Sequence, residues 1–281
     1  MVVSALKGNE CASDSDLYIF SDNAKDVSQR ESVDKVRGYL KGIKGFKSVN
    51  IVERPTNFGL SKSITTGIDY VLERHTNIIV LEDDIVTSPK FLSYMNQALF
   101  TYRNDAAVAS ISGYSYPTNH PLPEYFFLNR IECWGWGTWS DQWTLFNADG
   151  NSLADKIRSA GLVREFDYEN SFPFFKMLCD QAVGKNDSWA IRWDASVFLA
   201  GRYTLYPGKS YVQNFGMDGE GSNCGVSSSF DTLLNTEIVV MDRVDVSHSA
   251  EAWGQYVSFY KGLKKSFWQR VINRIRLAIR N

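Results

Sequence analysis

The sequence predicts an α/β fold, a mostly parallel sheet with helices on both faces. Three observations lead there. Over the first 113 residues short apolar runs alternate with segments of helical spacing, the pattern that places parallel strands in the middle and helices outside. One of the runs, Asn77-Ile78-Ile79-Val80-Leu81, stops abruptly at three consecutive carboxylates, Glu82-Asp83-Asp84, and open α/β sheets bind ligands just outside the carboxyl ends of their strands. A chain of 281 residues with 44% hydrophobic content has ample apolar material for such a core, as one large domain or two small ones.

Met1 to Gly8 reads as the end of a helix, so the first clear strand, Leu17-Tyr18-Ile19-Phe20, follows half of a βα unit. Two readings stay open: the sheet lacks its first strand, or the natural start lies upstream. Val33 to Ile43 has the spacing of an amphipathic helix, and Val49-Asn50-Ile51-Val52 that of a second strand. The unit then repeats. Ile64, Ile68, Val71 and Leu72 give one apolar face to a helix from Leu60 to Arg74, and Ile78 to Leu81 is the third strand. Ser88-Pro89 opens a helix through Phe91, Leu92, Met95 and Leu99, with Pro in the first turn, where no N–H is needed. Ala106 to Ser112 is a fourth short strand. Past Tyr114 the alternation fails, Pro117, Pro121 and Pro123 mark a loop, and six of the eight Trp fall between Trp134 and Trp193. The expected division is 1–113, a regular half; 114–250, an irregular aromatic half of the same domain; and 251–281, a terminal helix.

With 30 basic and 32 acidic residues, net charge −2, the chain lacks the excess of Lys and Arg that marks a nucleic-acid binder. The charge is unevenly placed: residues 261–281 hold seven Lys or Arg and no acid, leaving −9 on residues 1–260. Cys11, Cys133, Cys179 and Cys224 have neither zinc-site spacing nor the density of a disulfide scaffold, and are expected to be reduced thiols in a cytoplasmic protein. No apolar run approaches the roughly 18 residues that span a bilayer, and no secretory signal pattern opens the sequence.

Adjacent carboxylates stay ionised only where water or a cation offsets their repulsion, and Mg²⁺ and Mn²⁺ favour carboxylate oxygens. A solvated acidic turn is the plain alternative for Glu82-Asp83-Asp84. Its neighbours argue against that. Phe20-Ser21-Asp22, Arg54-Pro55-Thr56-Asn57-Phe58-Gly59-Leu60, Leu81-Glu82-Asp83-Asp84-Ile85 and Cys133-Trp134-Gly135-Trp136-Gly137-Thr138-Trp139 together resemble bacterial GT-A glycosyltransferases. The likeness is to surface-polysaccharide enzymes that share their acid motif with N-acetylglucosaminyltransferase I, and it runs from about Asp16 to Gly225.

The resemblance implies a Rossmann-like GT-A fold, a nucleotide-sugar donor bound by residues 1–113, an acceptor bound by 114–250, and a divalent cation, Mn²⁺ or Mg²⁺. It assigns Asp22 to the uracil or ribose, although Asp22 also suits a turn. Arg54, Asn57, Gly59 and Lys62 fall near the base or phosphates, at a helix N-terminus whose free N–H groups favour anions. Asp84 is expected to hold the metal, Asp83 the ribose and Glu82 the donor sugar. Trp134, Gly135, Trp136, Gly137 and Trp189 are expected to wall the acceptor or sugar, the glycines letting backbone approach a ligand. The general base of an inverting reaction falls on Asp187, in Asn186-Asp187-Ser188-Trp189, where a helix N-cap is an equal reading; Asp141 and Asp194 stand in reserve. In the glycine-rich stretch from Asn214 to Cys224, relatives often end in His-Cys; Asn223 stands at the His position, and whether it or Asp218 adds to the metal site stays open.

Phe267, Trp268, Val271, Ile272, Ile275 and Ile279 fall at helical spacing with Arg270, Arg274 and Arg280 between them. Such a basic amphipathic helix suits an anionic membrane surface, docking on its own domain being the alternative. The expectation is therefore a UDP-sugar-dependent transferase, cytoplasmic and peripheral on the inner face of the inner membrane, acting on a polyprenyl-diphosphate-linked saccharide in bacterial surface-glycan synthesis. A sugar-phosphate nucleotidyltransferase and a non-enzymatic nucleotide- or glycan-binding protein of the same fold are the rivals.

Overall fold

The computed structural model describes residues 1–216 and 228–263. In chain order its elements begin with α1 (Val2–Lys7), β1 (Asp16–Ser21), α2 (Arg30–Leu40), β2 (Ser48–Glu53), α3 (Leu60–Leu72), β3 (Asn77–Val80), β4 (Ile85–Thr87), α4 (Phe91–Tyr102) and β5 (Val108–Ser112). The irregular half adds β6 (Tyr125–Leu128), β7 (Trp136–Trp139), α5 (Ser140–Trp143), α6 (Gly150–Ser159), α7 (Val163–Phe166), α8 (Phe174–Ala182), α9 (Trp189–Leu199), β8 (Tyr203–Pro207) and β9 (Val212–Asn214). Residues 250–263 are helical. The basic amphipathic stretch read at 267–279 and most of the glycine-rich loop, Asp218 and Asn223 included, lie outside the described residues.

The expected α/β fold with flanking helices is present, and its regular half matches the periodicity closely. The helix expected from Val33 runs three residues earlier, Arg30–Leu40. Pro89 precedes α4 rather than opening it. β1 and β2 pair in parallel, Asp16 opposite Ser48 through Ser21 opposite Glu53. The central sheet, ordered β3-β7-β5-β8-β6, is mixed: only β5 and β8 run parallel, because β7 inserts antiparallel between β3 and β5. Gly137 makes that insertion possible, since a Cβ there would stand 2.9 Å from the Ile78 carbonyl and 3.0 Å from Met95.

α4 lies on this sheet through Phe91, Leu92, Tyr94, Met95, Ala98, Leu99 and Tyr102, all buried. The helical stretch 250–263 buries Ala252, Tyr256 and Tyr260 against Phe126, Tyr168 and Tyr206. Among the described residues no helix is long and apolar enough to cross a membrane, and Cys11, Cys133 and Cys179 are free thiols.

Strand directions bring several chain segments to one end of the sheet. Val80 pairs with Trp136 and Ser112 pairs with Trp136, so the ends of β3 and β5 meet the start of β7. Gly113 N–H donates to the Gly135 carbonyl at 2.6 Å, and Phe215 N–H, just past β9, donates to the Asp84 carbonyl at 2.9 Å.

Candidate active site

At that end stand the three acids. Asp83 is exposed, while Glu82 and Asp84 are partly buried. Burial, then the charges of Asp84 and Asp83, pushes the Glu82 carboxyl up to about 7, against an opposing hydrogen bond with Trp189. Asp84 is raised for the same kind of reason, burial first and Asp83 second. Its Oδ1 is buried with no hydrogen-bond partner, an arrangement that costs free energy unless a donor or a cation arrives. Gly216 lies directly over the same carboxylate; a Cβ there would fall 2.2 Å from Asp84 Oδ2.

A second group forms around the start of α3. Asp22 accepts the Phe58 N–H at 2.8 Å and the Gly59 N–H at 2.9 Å, tying the end of β1 to the turn that opens the helix. Gly59 has φ +73°, a conformation that L side chains rarely adopt. Asn57 donates to the Asn23 carbonyl at 2.7 Å. The Arg54 guanidinium and the Lys62 ammonium lie 4.8 and 4.4 Å from the Phe58 ring, giving this helix start two cations. Arg37, not singled out in the sequence, braces the region by donating to the Arg54 carbonyl at 3.1 Å and pairing with Glu53 at 3.2 Å.

Asp187 is 74% exposed at the start of α9, with Arg192 3.5 Å away. Ser188, not Asp187, caps the helix, its hydroxyl accepting the Ile191 N–H at 3.3 Å. Asp187 is thus left free of the cap role that competed with a catalytic one. Two contacts place it beside the other groups: Arg192 donates to Ser61 in the first turn of α3, and Trp189 bonds Glu82.

The reserve acids are placed elsewhere. Asp194 is spent on a buried ion pair with Arg130 and on the Ile131 N–H at 2.8 Å. Asp141 follows Trp139, which pairs with Asn77, so it lies at the opposite end of β3 from the acids.

The aromatic wall is corrected in part. Trp136 and Trp189 are stacked 5.6 Å apart and buried with Trp143 and Trp193 in a core cluster. Both rings are closed off from solvent, and Trp189 bonds Glu82. Gly135 and Gly137 likewise serve packing: Gly135 has φ +64° and a Cβ there would come within 2.7 Å of Val212. Trp134 alone of the five remains partly exposed, edge-on to Tyr114 at 4.7 Å.

Sequence reasoning missed Glu132. It precedes Cys133 at the same sheet end, accepts the Tyr116 hydroxyl and the Cys133 N–H, and is pushed up to about 7 by burial. The signal available was a lone acid in the otherwise apolar run Ile131-Glu132-Cys133-Trp134, since acids are seldom buried without a reason.

Among the described residues no group of three or more His, Cys, Asp or Glu is arranged to hold a metal by itself. No curated protein matches the chain. A family model described as Glycosyl transferase family 2 matches residues 18–170, which include the start of α3, the three acids and Glu132.

Proposed function

The chain belongs to glycosyl transferase family 2, and from that premise we propose an inverting, metal-dependent transfer of a GlcNAc-type sugar from a UDP-sugar to a polyprenyl-diphosphate-linked saccharide, in the assembly of a bacterial surface glycan such as lipopolysaccharide. The observation that carries it is the meeting of Glu82-Asp83-Asp84, the cationic start of α3 and Asp187 at one end of the fold. Asp22, Asn57, Gly59, Arg54 and Lys62 would bind the nucleotide, Asp83 the ribose and Glu82 the donor sugar.

Asp84 fits the cation, Mn²⁺ or Mg²⁺, because its orphaned buried oxygen wants a positive partner. With no three-ligand cluster among the described residues, the other ligands would be donor phosphates and water, the usual manner of Mg²⁺ in phosphate sites. Bound there, the ion supplies Lewis-acid stabilisation of the departing diphosphate. Asp187, exposed and uncommitted to the cap, would take the proton from the acceptor hydroxyl. The enzyme would act at the inner face of the membrane, held peripherally by residues 261–281.

The test is release of UDP from a panel of UDP-sugars with Mn²⁺ or Mg²⁺, on wild type and Asp84→Ala. Metal-dependent turnover of one donor, reduced at least roughly a hundredfold in the variant, is expected. No binding or turnover of any UDP-sugar would overturn the donor assignment.

A further inference from the structure

Glu132 has no ion pair among the described residues, yet it is well held. The Tyr116 hydroxyl donates to Oε2, the Cys133 N–H to Oε1 at 3.0 Å, and the Trp134 N–H adds a third bond. Once ionised, above about pH 7, the carboxylate offers about four acceptor sites, so one is left over.

What surrounds this spare capacity is aromatic and partly open. Trp134 meets Phe230 edge-on at 5.8 Å and Tyr116 stacks on Phe259 at 5.0 Å. Trp134, Tyr116, Phe230, Phe259 and Glu132 all keep some solvent exposure. The segments that supply them are distinct from those of the nucleotide group: the turn after β5, the approach to β7 and the chain past residue 228. Glu132 nevertheless adds to the charge felt by Glu82, so the aromatic wall adjoins the donor acids. Flat rings that cover the C–H face of a sugar, beside a fixed carboxylate that takes its hydroxyl protons, form a site with the few placed polar groups that ligand pockets use for orientation.

We propose that Glu132, fixed by Tyr116 and the Cys133 and Trp134 amides, accepts a hydrogen bond from a hydroxyl of the acceptor saccharide while the ring of that saccharide lies on Trp134. The assignment rests on the glycosyl-transfer reading for the word acceptor; the site as a saccharide subsite stands on its own geometry. It makes Glu132 a binding residue for the acceptor, separate from the proton-taking role given to Asp187.

The experiment uses the full chain and two probes. Octyl glycosides of glucose, galactose and GlcNAc are titrated while tryptophan fluorescence is read, and UDP with Mn²⁺ is titrated by calorimetry. Wild type, Glu132→Gln, Tyr116→Phe and Trp134→Phe are compared after circular dichroism shows each to be folded. Saturable quenching by at least one glycoside is expected in wild type, weakened at least tenfold in Glu132→Gln and less in Tyr116→Phe, with UDP affinity unchanged. Equal glycoside affinity in wild type and Glu132→Gln, or no glycoside binding to wild type, would overturn the subsite. Loss of UDP binding in wild type would instead count against the donor reading, leaving the glycoside titration to decide the subsite.

Discussion

Asp194, buried, and Glu132, partly buried, show how one functional group takes opposite roles according to its partners. Asp194 faces Arg130, whose guanidinium also lies 4.4 to 4.7 Å from the rings of Phe166, Tyr168 and Phe174; charge meets charge inside an aromatic cage, and the pair is structural. Glu132 faces only neutral donors, and burial pushes it up to about 7. A carboxyl raised in this way keeps its proton in the folded chain at a pH where the unfolded chain has released it. Its stabilising contribution is complete below the ordinary glutamate value of 4.5 and is lost as pH rises through about 7. Glu132→Gln keeps the shape, has a carbonyl for the Cys133 N–H and an amide to offer Tyr116, and has no proton to lose. The melting temperature of the variant minus that of wild type should therefore grow from pH 5 to pH 8, by about 2–4 °C in a chain of this size. A difference that stays flat across that range would mean that Glu132 titrates like an exposed glutamate.

At the scale of elements, α3 is begun by an acid from another strand. Asp22 lies 37 residues before Gly59 in the sequence, so local capping rules do not reveal the connection, although both residues stand out individually. Asp22→Ala removes the acceptor of two backbone N–H groups at a helix start and should cost about 1–2 kcal/mol in urea unfolding, with weaker UDP binding beside it. An unchanged unfolding midpoint would show that the two bonds contribute nothing net. The regular helices and strands of the first half were legible because each buries one face at its own period, as Ile64, Ile68 and Val71 do on α3. β7 was not, for a physical reason: Trp136, Gly137, Thr138 and Trp139 are all buried, so no alternation marks a strand, and its place between β3 and β5 is set by pairing with distant partners. The same burial turned an expected ligand wall into core.

Across the whole molecule the site was legible as a set of motifs and illegible as an arrangement. Asp22, Asp84, Glu132 and Asp187 come from four segments, and strand pairing together with long-range side-chain contacts brings them to one end. Charge is the other property that belongs to the whole chain. Residues 1–260 carry −9 while 261–281 carry seven positive charges, so an anionic membrane would attract one end of the sequence and repel the rest. Each Lys or Arg near such a surface is worth about 1 kcal/mol, screened by salt. The full chain should sediment with phosphatidylglycerol vesicles at low salt, release at high salt and ignore phosphatidylcholine vesicles. Replacing Arg270, Arg274 and Arg280 by Gln removes three of the seven charges and, if they act on lipid alone, should weaken the binding by about a hundredfold without shifting the melting temperature. If the triple variant instead melts earlier and still binds vesicles, residues 261–281 contribute to the fold and are not the membrane anchor.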